Sequence, residues 1–340
     1  MSEHYLGIDL HKRSSVWVLI NKEKKVVFRR SIAVTPDAFE AATRALPIPA
    51  QGLPVVIEPV CGWLWVAAQL EKAGMDVRIA NPRKVRLIAD SRMKCDRIDA
   101  TILAELLAVG YLPESYRAPD AIQELRALIR ERHHLVCVRT GMKNRIHGIL
   151  TRKGLHTMST HPLYQQGQRE IAEGTDEELK RSSLVLRDLG LFLAPLDQKI
   201  EMLARTNPTI ALIMTMPGIG PVTATTIYAE VGDFGRFPSP QHLASFAGLV
   251  PSQRSSGGSE HFGHITKTGS KYIRHVLVEA AFRIRSTTDD SLAEFRERLK
   301  NGRNAQSVRV ALAHKMLTIL WYMVKNNTPY QPDFSLRTVK

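Results

Sequence analysis

The chain has 340 residues, enough for two domains that each bury a hydrophobic core. Lysine and arginine total 47 against 33 acidic residues, a formal net charge of +14, and such an excess predicts a polyanionic partner such as nucleic acid. Three cysteines without metal-type spacing indicate neither a disulfide framework nor a zinc site. Without a membrane-length apolar run or a signal-peptide pattern, we expect a soluble cytoplasmic protein.

The first part of the chain predicts a mixed α/β domain over residues 1–115. Three strand-like runs come first, joined by short polar links that suit hairpins: YLGIDL, SVWVLIN and KVVFRRSI. A helix is predicted from Pro36, with Thr35 as its N-cap. A strand in LPVVIEP, a helix ending at Gly74, a strand in DVRIANP and helices in KVRLIADSR and DRIDATILAELLAVG follow. This order, β-β-β-α-β-α-β-α, matches the α/β ribonuclease H-like fold, a mixed sheet flanked by helices.

A helical linker is predicted over residues 116–207. Its first helix, AIQELRALIRERHHLVCVRTGMKNRIHGILTRKG, carries eight lysines and arginines on a helical pattern of leucine and isoleucine. Its second helix has apolar residues spaced by three and four, a heptad seam that requires a partner helix. These residues are Leu186, Leu189, Leu193, Leu196, Ile200 and Leu203. We therefore expect an antiparallel hairpin or coiled coil, which can also join protomers, with a loop over residues 157–175.

The last domain is predicted over residues 208–330 as mainly helical, followed by an irregular tail over 331–340. MTMPGIGPVTATTIYAEVG places Gly218 and Gly220 in a tight turn between helices. A helix-hairpin-helix turn of this shape binds a DNA phosphate through backbone amides, but a plain corner between helices has the same pattern. LVPSQRSSGGSEHFGHITKTGSKYIRHV predicts a long polar loop leading into a helix. Two amphipathic helices are expected near 290–300 and 306–325.

Four acidic residues are candidates for a metal site. Asp9 ends the first strand, and Glu58 ends the strand expected beside it in parallel, so both should lie at one edge of the sheet. KCDRIDA adds Asp96 and Asp99, three apart and so on one helical face. Converging carboxylates repel one another unless cations neutralise them, and oxygen ligands suit Mg²⁺ or Mn²⁺. Singly, these residues also suit turns and helix caps; together they predict a metal site for phosphodiester chemistry.

A serine-rich segment is a second candidate. RSSGGS holds Ser255, Ser256 and Ser259 around two glycines. A hydroxyl there can attack a phosphodiester if a base or a metal activates it, but this composition is also typical of an ordinary loop. Basic residues near it are candidates for DNA contact: Arg254, Lys267 and Lys271.

Several motifs in order resemble the DEDD transposases of bacterial insertion sequence family one-ten, over residues 5–325. They are the four acidic residues, the basic helix, MPGIGPVTA, FAGLVPSQRSSGG and ITKTGSKYIRHVL. The resemblance implies a RuvC-like N-terminal domain, a coiled-coil linker and a C-terminal transposase domain, with the four acidic residues binding a divalent metal. It also implies a catalytic serine five residues after the proline of AGLVP, at Ser256, and a phosphoserine link to DNA.

The resemblance further implies a guide RNA encoded by the element, and dimers that pair into tetramers on donor and target DNA. The basic helix is the expected RNA contact, through Arg126, Arg130, Arg139, Lys143 and Arg145. Pro59 after Glu58 and the SGGS run depart from the family pattern without removing a candidate group. Two alternatives remain: a Holliday-junction-type metal-dependent endonuclease and an RNA-guided DNA-binding protein without chemistry. The expected location is the bacterial cytoplasm, on the nucleoid.

Overall fold

A computed structural model describes residues 3–89, 96–155, 176–256, 259–284, 290–301 and 304–332. The chain divides into two compact units, Met1–Arg117 and Ala118–Lys340. The predicted linker and the predicted C-terminal domain both fall in the second unit, and their separation into two domains stays a prediction. The loop predicted over 157–175 lies outside the described residues. Within those residues, no helix is both long and apolar enough to cross a membrane.

The first unit has the predicted order of strands and helices. Its elements are β1 His4–Leu10, β2 Ser14–Asn21, β3 Val26–Ala33, α1 Pro36–Arg44, β4 Pro54–Ile57, α2 Trp63–Lys72, β5 Asp76–Ile79, α3 Pro82–Ala89 and α4 Asp96–Ala108. The Thr35 hydroxyl caps α1 by accepting a hydrogen bond from the Ala38 amide. Gly74, in the left-handed region at φ 84°, follows α2, as the sequence predicted.

The five strands form one mixed sheet in the order β3-β2-β1-β4-β5. β1, β2 and β3 are antiparallel neighbours, whereas β1 pairs with β4, and β4 with β5, in parallel. The predicted parallel pairing of the first strand with VVIEP is therefore confirmed. The mixed α/β fold is as expected, and its ribonuclease H-like or RuvC-like character stays a prediction.

The two faces of β1 pack against different helices. Leu6 and Ile8 belong to a cluster that includes Phe39 of α1 and Leu70 of α2. Side chains alternate between faces along a strand, so Gly7 points the other way. On that side, a Cβ at Gly7 would overlap the Ala100 carbonyl of α4. Helix α4 therefore lies close against β1 because the strand has no side chain at this position.

The second unit is mainly helical. Its elements are α5 Asp120–Arg152, α6 Glu177–Thr206, α7 Pro208–Met214, α8 Pro221–Val231, α9 Pro240–Ala247, β6 Pro251–Ser256, β7 Ser259–Ile265, α10 Lys271–Arg283, α11 Asp290–Lys300 and α12 Ala305–Asn326. The two predicted C-terminal amphipathic helices are confirmed as α11 and α12. The long polar loop predicted before α10 is wrong in one respect, because β6 and β7 form an antiparallel hairpin there. Two glycines between strand segments are a known signal for a two-residue hairpin connection, which the loop prediction overlooked.

Helices α5 and α6 pack in antiparallel fashion. Ile149, near the end of α5, shares a cluster with Leu179 at the start of α6. Ile129, nearer the start of α5, shares another cluster with Ile200 near the end of α6. Most of the predicted seam is buried, namely Leu186, Leu189, Leu193 and Ile200. The predicted helical hairpin is thus confirmed, and its coiled-coil geometry stays a prediction.

Candidate functional site

Asp9 and Glu58 lie at the same edge of the sheet in the first unit. Ile8 and Ile57 are partners in the parallel ladder, so the acidic residue that follows each one lies at the same edge. Asp9 is 8% exposed and Glu58 is half-buried. His11 Nε2 lies 3.2 Å from Asp9 Oδ2. The predicted common edge for these two acids is confirmed, and His11 is a neighbour that sequence reasoning missed.

The start of α4 lies against the same strand. Gly7 and Asp9 are two apart in β1 and so share a face, and Gly7 is where Ala100 of α4 packs. Asp96 and Asp99 belong to the helical turn before Ala100, and each helical residue advances about 1.5 Å along the axis. The backbone of Asp99 is therefore close to β1. The side chains of both aspartates lie outside the described part of the chain, so convergence of all four acids stays a prediction.

The sheet edge has the chemistry of a site for a cation and a polyanion. Among described side chains, no three His, Cys, Asp or Glu groups converge on one point, but this set leaves out Asp96 and Asp99. The carboxylates of Asp9 and Glu58 are oxygen ligands of the type that fits Mg²⁺ or Mn²⁺. The adjoining β1–β2 turn exposes Lys12 and Arg13. Their charges suit the phosphates of a bound nucleic acid.

The serine segment lies at the tip of the β6–β7 hairpin in the second unit. Ser256 pairs with Ser259, and Ser255 with Glu260. Ser256 is therefore the last paired residue of β6 before the connection. Arg254 pairs with His261 one step further from the tip. The side chains of these β6 residues lie outside the described set, so their predicted roles stay predictions.

Two turns interlock at the base of this hairpin. Gly269 has φ 84°, and a Cβ there would overlap the Phe246 carbonyl. The Ser270 amide donates to that carbonyl at 3.2 Å, and the Thr266 amide donates to Val250 O at 2.9 Å. The glycine is required both for its backbone conformation and for the close approach. The motifs AGLVP and KTGS are thus the two halves of one support for the serine hairpin.

Arg274 holds the same support from α10. Its Nη1 donates to the backbone oxygens of Ala247 at 2.8 Å, Thr268 at 3.3 Å and Ser270 at 3.4 Å. Burial lowers the pKa of its guanidinium. Sequence reasoning missed this residue. No local pattern marks it, because its strongest partner, Ala247, lies 27 residues earlier in the chain.

A buried carboxylate joins α5 to the hairpin support. Glu230, 3% exposed, accepts two hydrogen bonds from Arg130, at 2.8 and 3.1 Å, and one from Ser270 Oγ at 3.0 Å. These bonds raise the pKa of Arg130. Arg126 donates to the backbone oxygens of Ala229 and Glu230. Both arginines, predicted to contact RNA, thus have partners inside the unit that fix α5 to α8 and α10.

The remaining basic candidates lie on the surface of the second unit. Arg145 pairs with Glu178 of α6 at 3.1 Å, whereas Arg139 and Lys143 are half-buried along α5. Lys271 begins α10, and Lys267 has φ 52° in the turn before it. Their predicted nucleic-acid contacts stay predictions.

The predicted glycine turn joins α7 to α8. Gly218 has φ 78°, and Gly220 is the N-cap of α8 without a side-chain cap. Pro221 at the first helical position has no amide hydrogen to donate. Because Gly220 has no side chain, the first amides after Pro221 have no capping group. Uncapped amides at a helix start are the arrangement expected of a phosphate-binding turn.

Two family profiles match the chain along its length. One, described as a transposase and defined on DEDD transposases of IS110, matches residues 6–154. The other, described as "Transposase IS116/IS110/IS902 family", matches residues 210–297. The chain belongs to the IS110 family of transposases. It is therefore a DNA transposase, an enzyme of DNA transposition and recombination, as its motifs predicted.

Full-length relatives agree with this family. A "Probable family 20 transposase" of Pseudomonas aeruginosa is 29% identical, over 96% of this chain and 98% of the relative. The "Transposase for insertion sequence element IS1111A" of Coxiella burnetii is 26% identical, over 96% and 91%. A "Pilin gene-inverting protein" of Moraxella lacunata is 25% identical, over 97% and 98%. The IS110-family transposase described here is thus similar along nearly its whole length to proteins named for moving or inverting DNA.

Proposed function

We propose that this transposase cuts and rejoins DNA through a phosphoserine intermediate on Ser256, assisted by a Mg²⁺ or Mn²⁺ ion. The ion is held by Asp9, Glu58, Asp96 and Asp99. The observation that carries the proposal is the parallel register of β1 and β4, which brings Asp9 and Glu58 to one edge of the sheet. The packing of Ala100 against Gly7 supports it by keeping the start of α4 beside the same strand.

In the proposed reaction, Ser256 Oγ forms a bond to a DNA phosphorus. The bond from that phosphorus to a sugar oxygen breaks, and the sugar oxygen takes up a proton to become a hydroxyl. A sugar hydroxyl of another strand then attacks the same phosphorus and loses its proton, the bond between Ser256 Oγ and the phosphorus breaks, and Ser256 Oγ takes up a proton. The number of phosphodiester bonds is conserved, so the exchange requires no ATP. A divalent ion at the carboxylates would supply charge neutralisation at the phosphate.

The proposed partners are donor DNA, target DNA and a guide RNA, with dimers that pair into tetramers. The net charge of +14 supports a nucleic-acid partner. The relative named for pilin gene inversion supports recombination between two DNA sites. Arg126 and Arg130 bond to Ala229 and Glu230 of α8. The proposed RNA contacts on α5 are therefore the other three candidates, Arg139, Lys143 and Arg145. The proposed location is the bacterial cytoplasm, on the nucleoid.

Trapping of a covalent complex tests the proposal. The protein is incubated with DNA carrying its element ends, with copurified RNA and Mg²⁺, then denatured and separated by gel electrophoresis. We expect a protein–DNA adduct that is lost in Ser256→Ala and kept in the matched control Ser255→Ala. Cleavage with a free 5′-phosphate and no adduct would instead indicate the metal-dependent endonuclease. Binding without strand breakage would indicate the non-catalytic protein.

A further inference from the structure

A cleft of about 430 Å³ opens inside the second unit. Three elements line it: the middle of α5, the start of α8 and one face of α10. Its size is in the usual range for sites that bind small groups. The cleft therefore joins the helix predicted to bind RNA to the glycine turn predicted to bind DNA.

Cationic side chains predominate in the cleft. Arg132 and Arg283 line it, with Glu279 as the acidic residue on its wall. Arg132 also pairs with Asp197 of α6. Arg283 is exposed, and within the described ranges no carboxylate lies at ion-pair distance from it. The cleft thus keeps an arginine available for an external anion.

Two histidines lie beside these arginines in the cleft. The rings of His133 and His275 are 5.0 Å apart, and His133 is 5.1 Å from the Tyr272 ring. Burial lowers the pKa of His133, and His275, Lys271 and Arg132 lower it further by repulsion. Repulsion from several neighbouring basic residues indicates a positive potential, which an anion would relieve.

The start of α8, which also lines the cleft, adds hydrogen-bond donors. Gly220 offers no side-chain cap, and Pro221, Val222 and Thr223 line the cleft directly. The amides of Val222 and Thr223 belong to the first turn of α8, which has the positive end of the helix dipole. An anion seated there would meet arginine, histidine and backbone amides together.

We propose that this cleft binds a backbone phosphate of a nucleic acid, with Arg283, His275 and the first amides of α8 as donors. This inference rests on the proposed function and deepens it. It makes α5 and the glycine turn parts of one phosphate site rather than separate RNA and DNA surfaces. Phosphate contacts of this kind position a strand without reading its sequence.

Equilibrium binding of the full chain tests the cleft. Fluorescence anisotropy is measured with labelled random-sequence duplex DNA and, separately, with labelled single-stranded RNA, from 50 to 300 mM salt. All variants are made on a Ser256→Ala background, so the result does not depend on the phosphoserine chemistry. The test variants are Arg283→Gln and His275→Gln. The matched control is Arg205→Gln, which removes an exposed arginine paired with Glu201 on α6.

We expect Arg283→Gln to weaken binding by about fivefold to tenfold and to lower the slope of log affinity against log salt by about one. We expect His275→Gln to weaken binding by about twofold to threefold, with the control close to the parent. Weaker binding of DNA alone, of RNA alone or of both supports the proposal and identifies the nucleic acid that the cleft binds. If both test variants match Arg205→Gln in affinity and slope while melting like the parent, the cleft is not a phosphate site.

Discussion

The two candidate sites are positioned by different kinds of interaction. At the sheet edge, apolar packing holds the two strands that carry the acids, because Ile8 and Ile57 are both 0% exposed, although Asp9 itself also contacts His11. At the base of the serine hairpin, the supports are polar, since Arg274 binds three carbonyl oxygens and Glu230 binds Arg130 and Ser270. Apolar packing depends little on salt or pH, whereas ion pairs depend on both. The strands that carry Asp9 and Glu58 should therefore depend less on salt and pH for their placement than the support of the serine hairpin does.

The largest expected effect is on chemistry at the sheet edge. Asp9→Asn should lower strand cleavage by about a thousandfold or more, because the amide is a poorer ligand for a divalent ion. The fold should persist, since the substitution keeps the shape of the side chain. Cleavage of element-end DNA in Mg²⁺ and thermal melting measure the two properties. Asp76→Asn, at an exposed aspartate paired with Arg78 in β5, is the control that should retain activity.

Next in size is the loss of the buried carboxylate in the helical unit. Glu230→Ala should lower the free energy of unfolding by about 3 kcal/mol, because the partly exposed Arg130 and the Ser270 hydroxyl lose their charged hydrogen-bond partner. Glu201→Ala, which breaks an exposed pair with Arg205, should cost about 0.5 kcal/mol or less. Urea unfolding measures both. Equal losses in the two variants would contradict the role given to Glu230.

Two glycine substitutions test whether apolar packing positions the sheet edge. Gly7→Ala should cost about 2 kcal/mol, because its Cβ would overlap α4 at Ala100 and force the helix outward. Gly148→Ala, near the end of α5 with open space around it, should instead stabilise by about 0.5 kcal/mol. Unfolding in urea at low and at high salt measures both. The loss of unfolding free energy in Gly7→Ala should be the same at either salt concentration. A strong salt dependence would contradict the view that apolar packing places α4 against β1.

Much of this arrangement could be predicted from local patterns, and some of it could not. Alternating apolar runs and Thr35 before Pro36 predicted β1 to β4 and α1, and the strand order placed Asp9 beside Glu58. The hairpin of β6 and β7 was missed because its strands are polar and resemble a loop. The roles of Arg274 and Glu230 depend on contacts between segments distant in the chain, which no local pattern encodes.

The smallest expected effect is a pH dependence confined to the helical unit. Burial lowers the pKa of His314, and the neighbouring Lys315 lowers it further. The unfolded chain takes up a proton near pH 6.5, whereas the folded chain resists protonation until a lower pH. The free energy of unfolding should therefore fall as the pH drops from 7 to 5. His314→Gln should reduce that fall in urea titrations, and an unchanged fall would contradict the assignment.

Mass spectrometry of the trapped complex tests the central claim most directly. After reaction with element-end DNA, the protein is denatured and digested with a nuclease and trypsin, and the peptide containing Ser256 is fragmented. We predict a nucleotide linked through its phosphate to Ser256, absent when Asp9→Asn is used. An unmodified Ser256 peptide alongside DNA that has been cut to 5′-phosphate ends would contradict the phosphoserine mechanism.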